Sequence, residues 1–430
     1  MIKESIIRLM TRLANEHRAI NLAQGFTDEP AIYEMVWGGI AASLGGTPDN
    51  TNALEEITLE EIQRRADSDP ERFLKMRLKE VLRLLPDKRD LFNQYSYPFG
   101  MAELRAAVAD YTERFQGFRP DPDTEVTIVA GATEGVFTSL RTVCNPGDEV
   151  IVIQPFHEMY PSQAAVLSLN TQYVTLKENS QEATWDLDIE ELERAMGPRT
   201  RALVLNTPHN PTGKVFTQDE MGLIAYLCKK HNVVVITDEI YEHIVYGGRK
   251  HCSIATLEGM RERTFVVNAI SKTGNATGWR VGWIISPRQY LSFLRSIHDT
   301  LVIQAPTPLQ KGAERLLRLE DAFFQGFLGK YEAKYQLLLR ALQDVGFLLT
   351  PPAGAYYLFA DYTHVPALRG MSPMDAAIYL IKEIGVASVP GDNFYTVGNY
   401  GDTYLRFAFC RSMQTLEEGA KRMEKLKQIG

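Results

Sequence analysis

The stretch Asn268-Ala-Ile-Ser-Lys-Thr-Gly-Asn-Ala-Thr-Gly-Trp-Arg-Val-Gly-Trp283 places one lysine, Lys272, on a bend of small residues. Apolar runs flank this bend at Thr264–Ile270 and Val281–Ile285. The glycines of the bend permit backbone dihedrals that other residues avoid. Arg280, eight residues beyond the lysine, is a permanent cation suited to a phosphate. Taken alone, the stretch fits either a surface lysine in a glycine-rich loop or a lysine that holds pyridoxal phosphate as a Schiff base.

The composition is that of an ordinary globular protein. Its 430 residues can bury a large core and suggest two or three domains. The formal net charge of −8 argues against a nucleic-acid partner, which would require a basic face. No apolar run approaches the ~18 residues of a membrane span, and the N-terminus lacks a signal-peptide pattern. The cysteines are widely spaced and fit reduced thiols, so a soluble cytoplasmic protein is expected.

The N-terminal part of the chain combines a short helix with an atypical insertion. Residues 2–17 place apolar side chains on one helical face, which predicts a docking helix. Within the insertion, residues 36–92, Ala41–Asn52 is small and polar and predicts a loop. Leu54–Leu85 predicts two helices that break at Asp69-Pro70. The second helix carries an apolar stripe of Leu74, Leu78, Val81, Leu82 and Leu85. A lid, an oligomer contact and a plain insertion all remain open.

From Asn93 onward, apolar strand patterns alternate with helical patterns. The predicted strands are Val126–Ala130, Val150–Gln154, Ala202–Asn206, Val233–Thr237 and Phe265–Ala269. The predicted helices between them are Thr133–Val143, Tyr160–Ser168, Ile189–Met196 and Gln218–Lys230. Several strand runs are continuously apolar, as expected for strands that are covered on both faces. The alternation predicts an α/β fold with a mostly parallel sheet.

The last third of the chain has a different order of predicted elements. Long helices come first and are followed by short strands and helices. The predicted helices are Pro306–Leu319, Ala322–Val345, Met374–Ile384 and Thr415–Ile429. The predicted strands are Ala355–Phe359, Val386–Pro390 and Tyr404–Phe409. This segregation predicts a second domain of the α+β type.

Candidate ligand-binding residues follow the ends of the predicted parallel strands, where α/β proteins bind ligands. After the first strand, the turn Gly131-Ala-Thr-Glu-Gly135 opens a helix, and the free amides of Ala132 and Thr133 suit a phosphate. After the third strand, Asn210 is flanked by prolines. It fits either an ordinary Asn-Pro turn or a rigid donor to a phenolate oxygen.

Two further strand ends supply charged groups. The fourth strand leads into Asp238-Glu-Ile-Tyr241. A carboxylate buried at Asp238 needs a cation such as a protonated pyridine nitrogen, and Tyr241 can share the phenolate oxygen with Asn210. An acidic helix start with a packed tyrosine is the alternative. Because the fifth strand delivers Lys272, the four strand ends together predict a pyridoxal 5′-phosphate site.

Arg406 lies within the apolar strand pattern Tyr404-Leu-Arg-Phe-Ala-Phe409. Its guanidinium fork matches the α-carboxylate of an amino acid. A structural salt bridge is the alternative.

Taken together, these motifs resemble the class I (fold type I) pyridoxal-phosphate-dependent aminotransferases, especially their kynurenine/glutamine aminotransferase branch. The matching motifs are Ile20-Asn-Leu-Ala-Gln-Gly-Phe26, Asn93-Gln-Tyr-Ser-Tyr-Pro-Phe-Gly100, Asn206-Thr-Pro-His-Asn-Pro-Thr-Gly213, Thr237-Asp-Glu-Ile-Tyr241, the Lys272 stretch and Leu405-Arg-Phe407. The resemblance implies a large domain over residues 93–305 with a mostly parallel, seven-stranded sheet. It also implies a small α+β domain over residues 306–430, joined by an N-terminal segment, residues 1–92, that carries the insertion.

The resemblance also implies roles for individual residues. Lys272 would be the Schiff-base lysine, Asp238 the partner of the pyridine nitrogen, and Tyr241 the third catalytic residue. The other implied cofactor contacts are Asn210 at the phenolic oxygen, Ala132, Thr133 and Arg280 at the phosphate, and Asn206, His157 and Ser271. The implied contacts to the substrate carboxylate are Gly25, Asn210 and Arg406. Tyr95 would reach the cofactor of a neighbouring subunit, which implies a homodimer.

Three features depart from the family pattern. His157 stands where relatives carry an aromatic residue that stacks on the cofactor ring, and an imidazole can also carry a proton. Ala269 stands where many relatives have a serine bonded to the phosphate. The insertion at residues 36–92 is longer than the relatives' connection and lies beside the expected substrate entrance.

The sequence therefore predicts an aminotransferase that exchanges an amino group between an L-amino acid and a 2-oxo acid by a ping-pong mechanism. Lys272 would move the proton as general base and acid. A lyase, a substituent-replacing enzyme or an oxidase of specialised metabolism on the same fold is the alternative, motivated by His157 and the insertion. A non-catalytic ligand sensor is disfavoured because no attached DNA-binding domain is expected. No metal site is predicted.

Overall fold

The computed structural model describes residues 4–44, 57–66, 70–84 and 92–428, and these residues contain a sheet of eight strands. In order of neighbours across the sheet, the strands are β2 (Val126–Val129), β9 (Gly282–Ile285), β8 (Thr264–Ala269), β7 (Val234–Asp238), β6 (Thr200–Asn206), β3 (Glu149–Gln154), β4 (Asn170–Asn179) and β5 (Thr184–Leu187). Strands β4, β3, β6, β7 and β8 are parallel to their neighbours in this series. Strand β9 is antiparallel to β2 and β8, and β5 is antiparallel to β4. This topology confirms the predicted α/β fold with a mostly parallel sheet.

All five predicted strands are present, and their ends lie within two residues of the predicted bounds. Strands β3, β7 and β8 are buried along their whole length, which explains their continuous apolar runs. The predicted count of seven strands is one too low, because the sheet also includes the short hairpin strand β5. Strands β4 and β5 lie at the sheet edge and are only partly buried. Their polar composition therefore carries no strong strand signal.

Helices cover both faces of this sheet. Those within the sheet region are Ala102–Gln116, Ala132–Val143, Met159–Val166, Ile189–Ala195, Gln218–Lys230, Ile270–Thr273 and Leu291–Val302. Gln218–Lys230 shows how local sequence sets such a helix. Thr217 and Glu220 form a capping box at its start, and lysines fill its last turn beside the negative end of the helix dipole. The predicted bounds of this helix are confirmed.

A smaller layer lies beyond the main sheet. Strands β10 (Tyr357–Asp361), β13 (Tyr404–Ala408) and β12 (Val389–Pro390) form an antiparallel sheet, and β1 (Ile20–Asn21) pairs in parallel with β11 (Val386–Ala387). The helices of this layer are Asp321–Gln343, Pro373–Tyr379 and Met413–Met423, and Leu380–Ile384 continues the second as a π-helix. Helix Thr307–Leu317 instead packs against helices Tyr33–Ser43 and Ala102–Gln116. The predicted strand Val386–Pro390 is divided, since its two halves join different sheets.

The N-terminal helix is confirmed at Ile6–Glu16, where the Ser5 side chain caps its first turn. A second helix spans Tyr33–Ser43, so the predicted loop Ala41–Asn52 is wrong at its first three residues, and most of its remainder lies outside the described residues. Within the described part of the insertion, short helices span Leu59–Arg65, Pro70–Leu74 and Leu78–Leu82.

The apolar stripe predicted for the insertion is wrong within the described residues. Leu74 is 81% exposed and Leu78 is 72% exposed. The chain leaves the helical conformation between them, so the two leucines belong to separate helices and share no buried face. Leu85 lies outside the described residues.

None of the helices within the described ranges combines the length and the apolar composition that crossing a membrane requires.

Candidate active site

A cleft opens at the carboxyl ends of β6, β7 and β8, beside the start of helix Ala132–Val143. Its lining consists of Ala132, Thr133, His157, Met159, Tyr160, Asn206, Asn210, Asp238, Ile240, Tyr241, Ser271, Lys272, Thr277 and Arg280. Ten of these residues were singled out from the sequence. Gly25 and Arg406 adjoin the cleft through hydrogen bonds to Lys272 and Asn210, respectively. The structure therefore brings together in one place the predicted residues from four strand ends.

Lys272 lies in the short helix Ile270–Thr273 that follows β8. Its Nζ donates to the Gly25 carbonyl oxygen at 2.9 Å and lies 5.7 Å and 5.4 Å from the ring centroids of Tyr241 and Tyr356. Burial lowers the pKa of Lys272 to about 8, with the Arg406 and Arg280 cations adding to the effect. A larger fraction of the amine is therefore neutral, and hence nucleophilic, than in a solvent-exposed lysine.

Asp238 is the last residue of β7, and its carboxylate is buried. The carboxylate accepts hydrogen bonds from the Tyr160 hydroxyl at 2.9 Å and from the Ile240 amide at 3.3 Å. Burial nevertheless raises the pKa of Asp238 to about 6. Among the described residues, no lysine, arginine or histidine forms an ion pair with this carboxylate. The site is thus suited to a cationic group in the cleft.

Asn206 and Asn210 connect two strand ends to the arginine of the smaller sheet. Asn206 donates to the Asp238 carbonyl oxygen at 3.0 Å, and its Oδ1 accepts from the Asn210 backbone amide at 2.8 Å. Asn210 Oδ1 in turn accepts from Arg406 Nη1 at 3.0 Å. Because the side-chain oxygen of Asn210 faces Arg406, the side-chain nitrogen of Asn210 points away from Arg406 and is available as a donor.

Arg406 is 1% exposed, in the middle of β13. Its Nη2 donates to the Ala23 carbonyl oxygen at 2.6 Å. Its Nε is buried and has no hydrogen-bond partner within the described part of the chain. Arg406 thus has a buried guanidinium with an unused N–H, and no carboxylate of the described residues pairs with it. This fits an anionic ligand better than the alternative of a structural salt bridge.

The opposite end of the cleft offers an arginine and the start of a helix, two groups that could hold a phosphate. The chain turns at Gly131 with φ +84°, and a Cβ there would lie 2.4 Å from Arg280 Nη2, so this position requires glycine. The guanidinium donates to the carbonyl oxygens of Thr277 and Ala130. Glu134, in the first helical turn, engages the Ala130 amide and His298, so its carboxylate does not satisfy the helix start. The first amides of helix Ala132–Val143 therefore remain available to an anion.

The two residues that depart from the family pattern, His157 and Ala269, have different surroundings in the structure. His157 Nδ1 accepts from the Met159 amide at 3.2 Å, so the ring proton resides on Nε2. Burial, together with the Arg406 and Lys272 cations, lowers the pKa of His157 to about 3, so the imidazole is neutral at physiological pH. Ala269 is buried in β8 and offers no hydroxyl, whereas the buried Ser271 lines the cleft.

Tyr95 does not line this cleft. It is 77% exposed and borders a separate surface cleft together with Phe92, Asn93, Gln94, Gln304, Thr307 and Pro308. Within one chain, the structure therefore does not bring Tyr95 to the other predicted site residues.

The sequence does not indicate that the hydroxyls of three tyrosines, Tyr160, Tyr356 and Tyr357, belong to the site or its surroundings. The sequence pattern predicts Tyr160 only as the start of a helix, although this residue follows the end of β3. Tyr356 and Tyr357 belong to an apolar strand pattern that carries no sign of a functional hydroxyl. In the structure, the Tyr356 hydroxyl donates to the Gly25 carbonyl at 2.9 Å, and the Tyr357 and Tyr241 hydroxyl oxygens lie 2.9 Å apart.

These observations together fit pyridoxal phosphate. The cleft offers an amine of lowered pKa, a buried carboxylate without an ion-pair partner, and a glycine-cradled arginine beside a free helix start. Groups of these three kinds could hold the aldehyde, the pyridine nitrogen and the phosphate of the cofactor.

Comparisons with known proteins agree with this fit. The family described as aminotransferase class I and II matches residues 70–423. Kynurenine–oxoglutarate transaminase 1 of Homo sapiens is 32% identical over 440 residues, which cover 97% of this chain and 94% of the relative. Methionine aminotransferase of Escherichia coli is 29% identical over 422 residues, covering 98% of this chain and 96% of the relative. The solved structure of N-succinyldiaminopimelate aminotransferase from Mycobacterium tuberculosis superimposes with a TM-score of 0.85 at 30% identity, covering 99% and 97% of the two chains.

The human relative confirms the predicted resemblance to the kynurenine aminotransferase branch. All three relatives are aminotransferases, and they give no support to a lyase, a substituent-replacing enzyme or an oxidase. The chain belongs to the class I and II aminotransferases, enzymes that use pyridoxal 5′-phosphate to exchange amino groups between amino acids and 2-oxo acids.

Proposed function

We propose that this cleft is the aminotransferase active site and that its substrate is an α-amino acid with an aromatic or other large side chain. The observation that carries the proposal is the meeting of Lys272, Asp238 and Arg406 around one cleft, although Asp238 and Arg406 lie in separate strands and Lys272 follows a third. Lys272 would hold the cofactor covalently, and Asp238 would bind its pyridine nitrogen. Pyridoxal phosphate supplies a conjugated ring that accepts the electron pair left when the substrate Cα loses its proton.

The remaining cofactor contacts follow from the donors that face the cleft. Asn210 and Tyr241 would donate to the phenolic oxygen. The phosphate would be held by Arg280, by the amides of Ala132 and Thr133, and by Ser271. The His157 ring would lie against the cofactor ring as a neutral imidazole, and Asn206 would hold the loop that positions Asn210.

The chain's own residues can also bind the substrate and move its proton. Arg406 would hold the α-carboxylate through its fork, next to Asn210 and the Gly25 backbone. The amine of Lys272, once free, would take the proton from Cα and return it as general base and acid. Because the pKa of this amine is lowered to about 8, both its protonated and its neutral form are populated near physiological pH.

The proposed substrate class rests on aromatic side chains around Arg406 and on the relatives. The Arg406 guanidinium carbon lies 4.4 Å from the ring centroid of Tyr357 and 4.9 Å from that of Phe394. These rings would give the substrate apolar surroundings next to its carboxylate. The human relative acts on kynurenine and the Escherichia coli relative on methionine, and both substrates are amino acids with large side chains.

A screen of amino donors tests this function directly. We expect kynurenine, phenylalanine or methionine to convert the visible absorbance of the lysine-bound cofactor into the near-ultraviolet absorbance of its amine form. A 2-oxo acid should then restore the visible band, because the two half-reactions are reverse steps on the same residues. Aspartate should react more slowly, since no second arginine is proposed for its side chain. Failure of every α-amino acid to change the spectrum would contradict amino-group transfer by this site.

The lowered pKa of Lys272 predicts an unusual pH dependence of cofactor uptake. At pH 7, a pKa of about 8 instead of 10.5 leaves about 300-fold more of the amine neutral. We expect the rate of apoenzyme uptake, divided by the rate for Nα-acetyl-lysine at the same pH, to be highest at low pH. The ratio should fall between about pH 8 and pH 10.5. In this range Lys272 is already neutral, whereas the neutral fraction of Nα-acetyl-lysine still increases with pH. Dividing the rates cancels the titration of the cofactor itself. A pH-independent ratio would show that Lys272 has an ordinary pKa.

The domain division is also part of this proposal. We assign residues 93–305 to a large domain, residues 306–430 to a small domain, and residues 1–92 to an N-terminal segment that joins the small domain. Two observations support this assignment. All eight strands of the main sheet come from residues 126–285, and β1 pairs with β11 of the smaller layer.

We further propose a homodimer in the cytoplasm, with Tyr95 reaching the cofactor of the partner. Ser96 bonds to Gln304, which places Tyr95 and Tyr97 next to the exposed apolar segment Leu301–Ile303. Such a patch on one face supports burial against a second copy. Analytical ultracentrifugation should give the mass of two chains of 48.5 kDa each, and the mass of one chain would contradict the dimer. The free cysteines of the structure are compatible with a reducing compartment.

A further inference from the structure

Tyr357 joins the two halves of the proposed site, although it belongs to neither. It is the first residue of β10, pairs with Ala408 across the smaller sheet, and is 3% exposed. A Cβ at Gly25 would lie 2.0 Å from its hydroxyl oxygen, so the chain can pass this point only with glycine. The hydroxyl is thus fixed at the edge of the cleft, between Gly25 and Tyr241.

The hydroxyl of Tyr357 contacts the cofactor side of the site. Its oxygen lies 2.9 Å from the Tyr241 hydroxyl oxygen. Burial raises the pKa of both tyrosines, so both hydroxyls are protonated at physiological pH. One of the two hydroxyls donates its proton to the other in a hydrogen bond. The hydroxyl that accepts this hydrogen bond can donate its own proton to a third atom. If Tyr357 donates, Tyr241 is that acceptor.

The ring of Tyr357 contacts the substrate side. The guanidinium carbon of Arg406 lies 4.4 Å from the ring centroid, within the range of a cation–π interaction. Hydrogen bonds to Asn210 and Ala23 hold the edge of this guanidinium, and the rings of Tyr357 and Phe394 both lie against it, with the Tyr357 ring nearer. The single hydroxyl proton of Tyr241 is assigned to the phenolic oxygen of the cofactor, so Tyr357 is the donor in the hydrogen bond between the two tyrosines.

We propose that Tyr357 is a positioning residue that strengthens the hydrogen bond from Tyr241 to the cofactor and holds Arg406 in place for the substrate carboxylate. This inference rests on the proposed roles of Tyr241 and Arg406. A hydroxyl that accepts a hydrogen bond becomes a stronger donor, because chains of hydrogen bonds polarise one another. One side chain thereby links cofactor binding and substrate binding through different atoms, and the two effects can be separated by substitution.

Tyr357→Phe removes the hydroxyl and keeps the ring. Weaker donation from Tyr241 leaves the phenolic oxygen of the cofactor more basic, so the adjacent nitrogen linked to Lys272 keeps its proton to higher pH. We expect the pH midpoint of the visible absorbance band to rise by about 0.5 to 1 pH unit. The affinity for 3-phenylpropionate, an unreactive carboxylate, should stay within about twofold because the ring under Arg406 is retained.

Tyr357→Leu removes the ring as well. The pH midpoint should rise as in Tyr357→Phe, and the dissociation constant of 3-phenylpropionate should increase by about threefold to tenfold. Both quantities are read from cofactor absorbance without turnover. The matched control is Tyr362→Phe, because Tyr362 is 2% exposed and its hydroxyl donates to the Met371 and Asp402 carbonyls. This control should lower Tm and leave the midpoint and the carboxylate affinity unchanged.

Two outcomes would overturn the proposal. One is an unchanged midpoint in Tyr357→Phe, and the other is equal carboxylate affinity in Tyr357→Phe and Tyr357→Leu. In either case, loss of the visible band in Lys272→Ala would still support the proposed active site, so the two failures are distinguishable. A visible band that survives in Lys272→Ala would instead remove the basis of both proposals.

Discussion

Replacing Lys272 with alanine is expected to abolish the visible absorbance of the bound cofactor and to lower kcat by about 10⁴-fold or more. The covalent attachment and the proton transfer both depend on the same amine. That amine is the one whose Nζ lies 2.9 Å from the Gly25 carbonyl and beneath the faces of Tyr241 and Tyr356. Absorbance spectra of the purified variant, with the cofactor added in excess and then removed by dialysis, measure the first effect. Single-turnover reaction with kynurenine measures the second.

The chemical role of Lys272 can be separated from a structural role by rescue. A small primary amine such as ethylamine fits the space left by the lysine side chain and can take the Cα proton in its place. We expect ethylamine to restore part of the single-turnover rate in Lys272→Ala, with a rate that increases with amine concentration. Lys229→Ala, at an exposed lysine that donates to the Glu258 carbonyl, serves as control and should keep both absorbance and rate. A visible band retained in Lys272→Ala would show that another lysine holds the cofactor.

The position of this lysine could be predicted because the strands that lead to the site are buried on both faces. Their runs are continuously apolar, so each strand end is visible in the sequence as the point where polar residues return. Asp238, Asn206 and Lys272 each lie at or just after such a point. The parallel order of β6, β7 and β8 then brings their carboxyl ends to one edge. For Asp238 and Lys272, local pattern and general topology were sufficient, whereas the place of Asn206 in the site was implied only by the family resemblance.

Other parts of the site depend on contacts that no local pattern reveals. The Tyr160 hydroxyl reaches Asp238, and the Tyr357 hydroxyl reaches Tyr241, through pairs separated by 78 and 116 residues. A tyrosine in an apolar segment looks the same in the sequence whether its hydroxyl faces a ligand or a backbone carbonyl. The insertion shows the opposite error, since Leu74 and Leu78 have helical spacing but lie exposed on separate helices.

Asp238→Asn is expected to lower kcat by about 10²- to 10³-fold while the cofactor remains attached to Lys272. The carboxylate is buried, its pKa is raised to about 6, and Tyr160 and Ile240 donate to it. A protonated pyridine nitrogen would supply the missing positive charge, and the ring accepts electrons well only in that form. Asparagine keeps the size of the side chain but removes the negative charge, so the ring nitrogen would lose its proton. Rapid-scanning spectroscopy of the first half-reaction measures the effect.

The burial of the Asp238 carboxyl group also predicts how its substitution changes the stability of the apoenzyme. The carboxyl of Asp238 has a folded pKa of about 6 against an ordinary value of 3.8, so its charge destabilises the apoenzyme above pH 6, and the effect disappears below 3.8. At pH 8, the Tm of the Asp238→Asn apoenzyme should therefore equal or exceed that of the parent, although its half-reaction is slow. Asp361→Asn is the matched variant, because Asp361 also ends a strand and accepts from one backbone amide and one hydroxyl. That variant should keep its rate. Equal rates in Asp238→Asn and the parent would mean that Asp238 does not control the protonation of the cofactor.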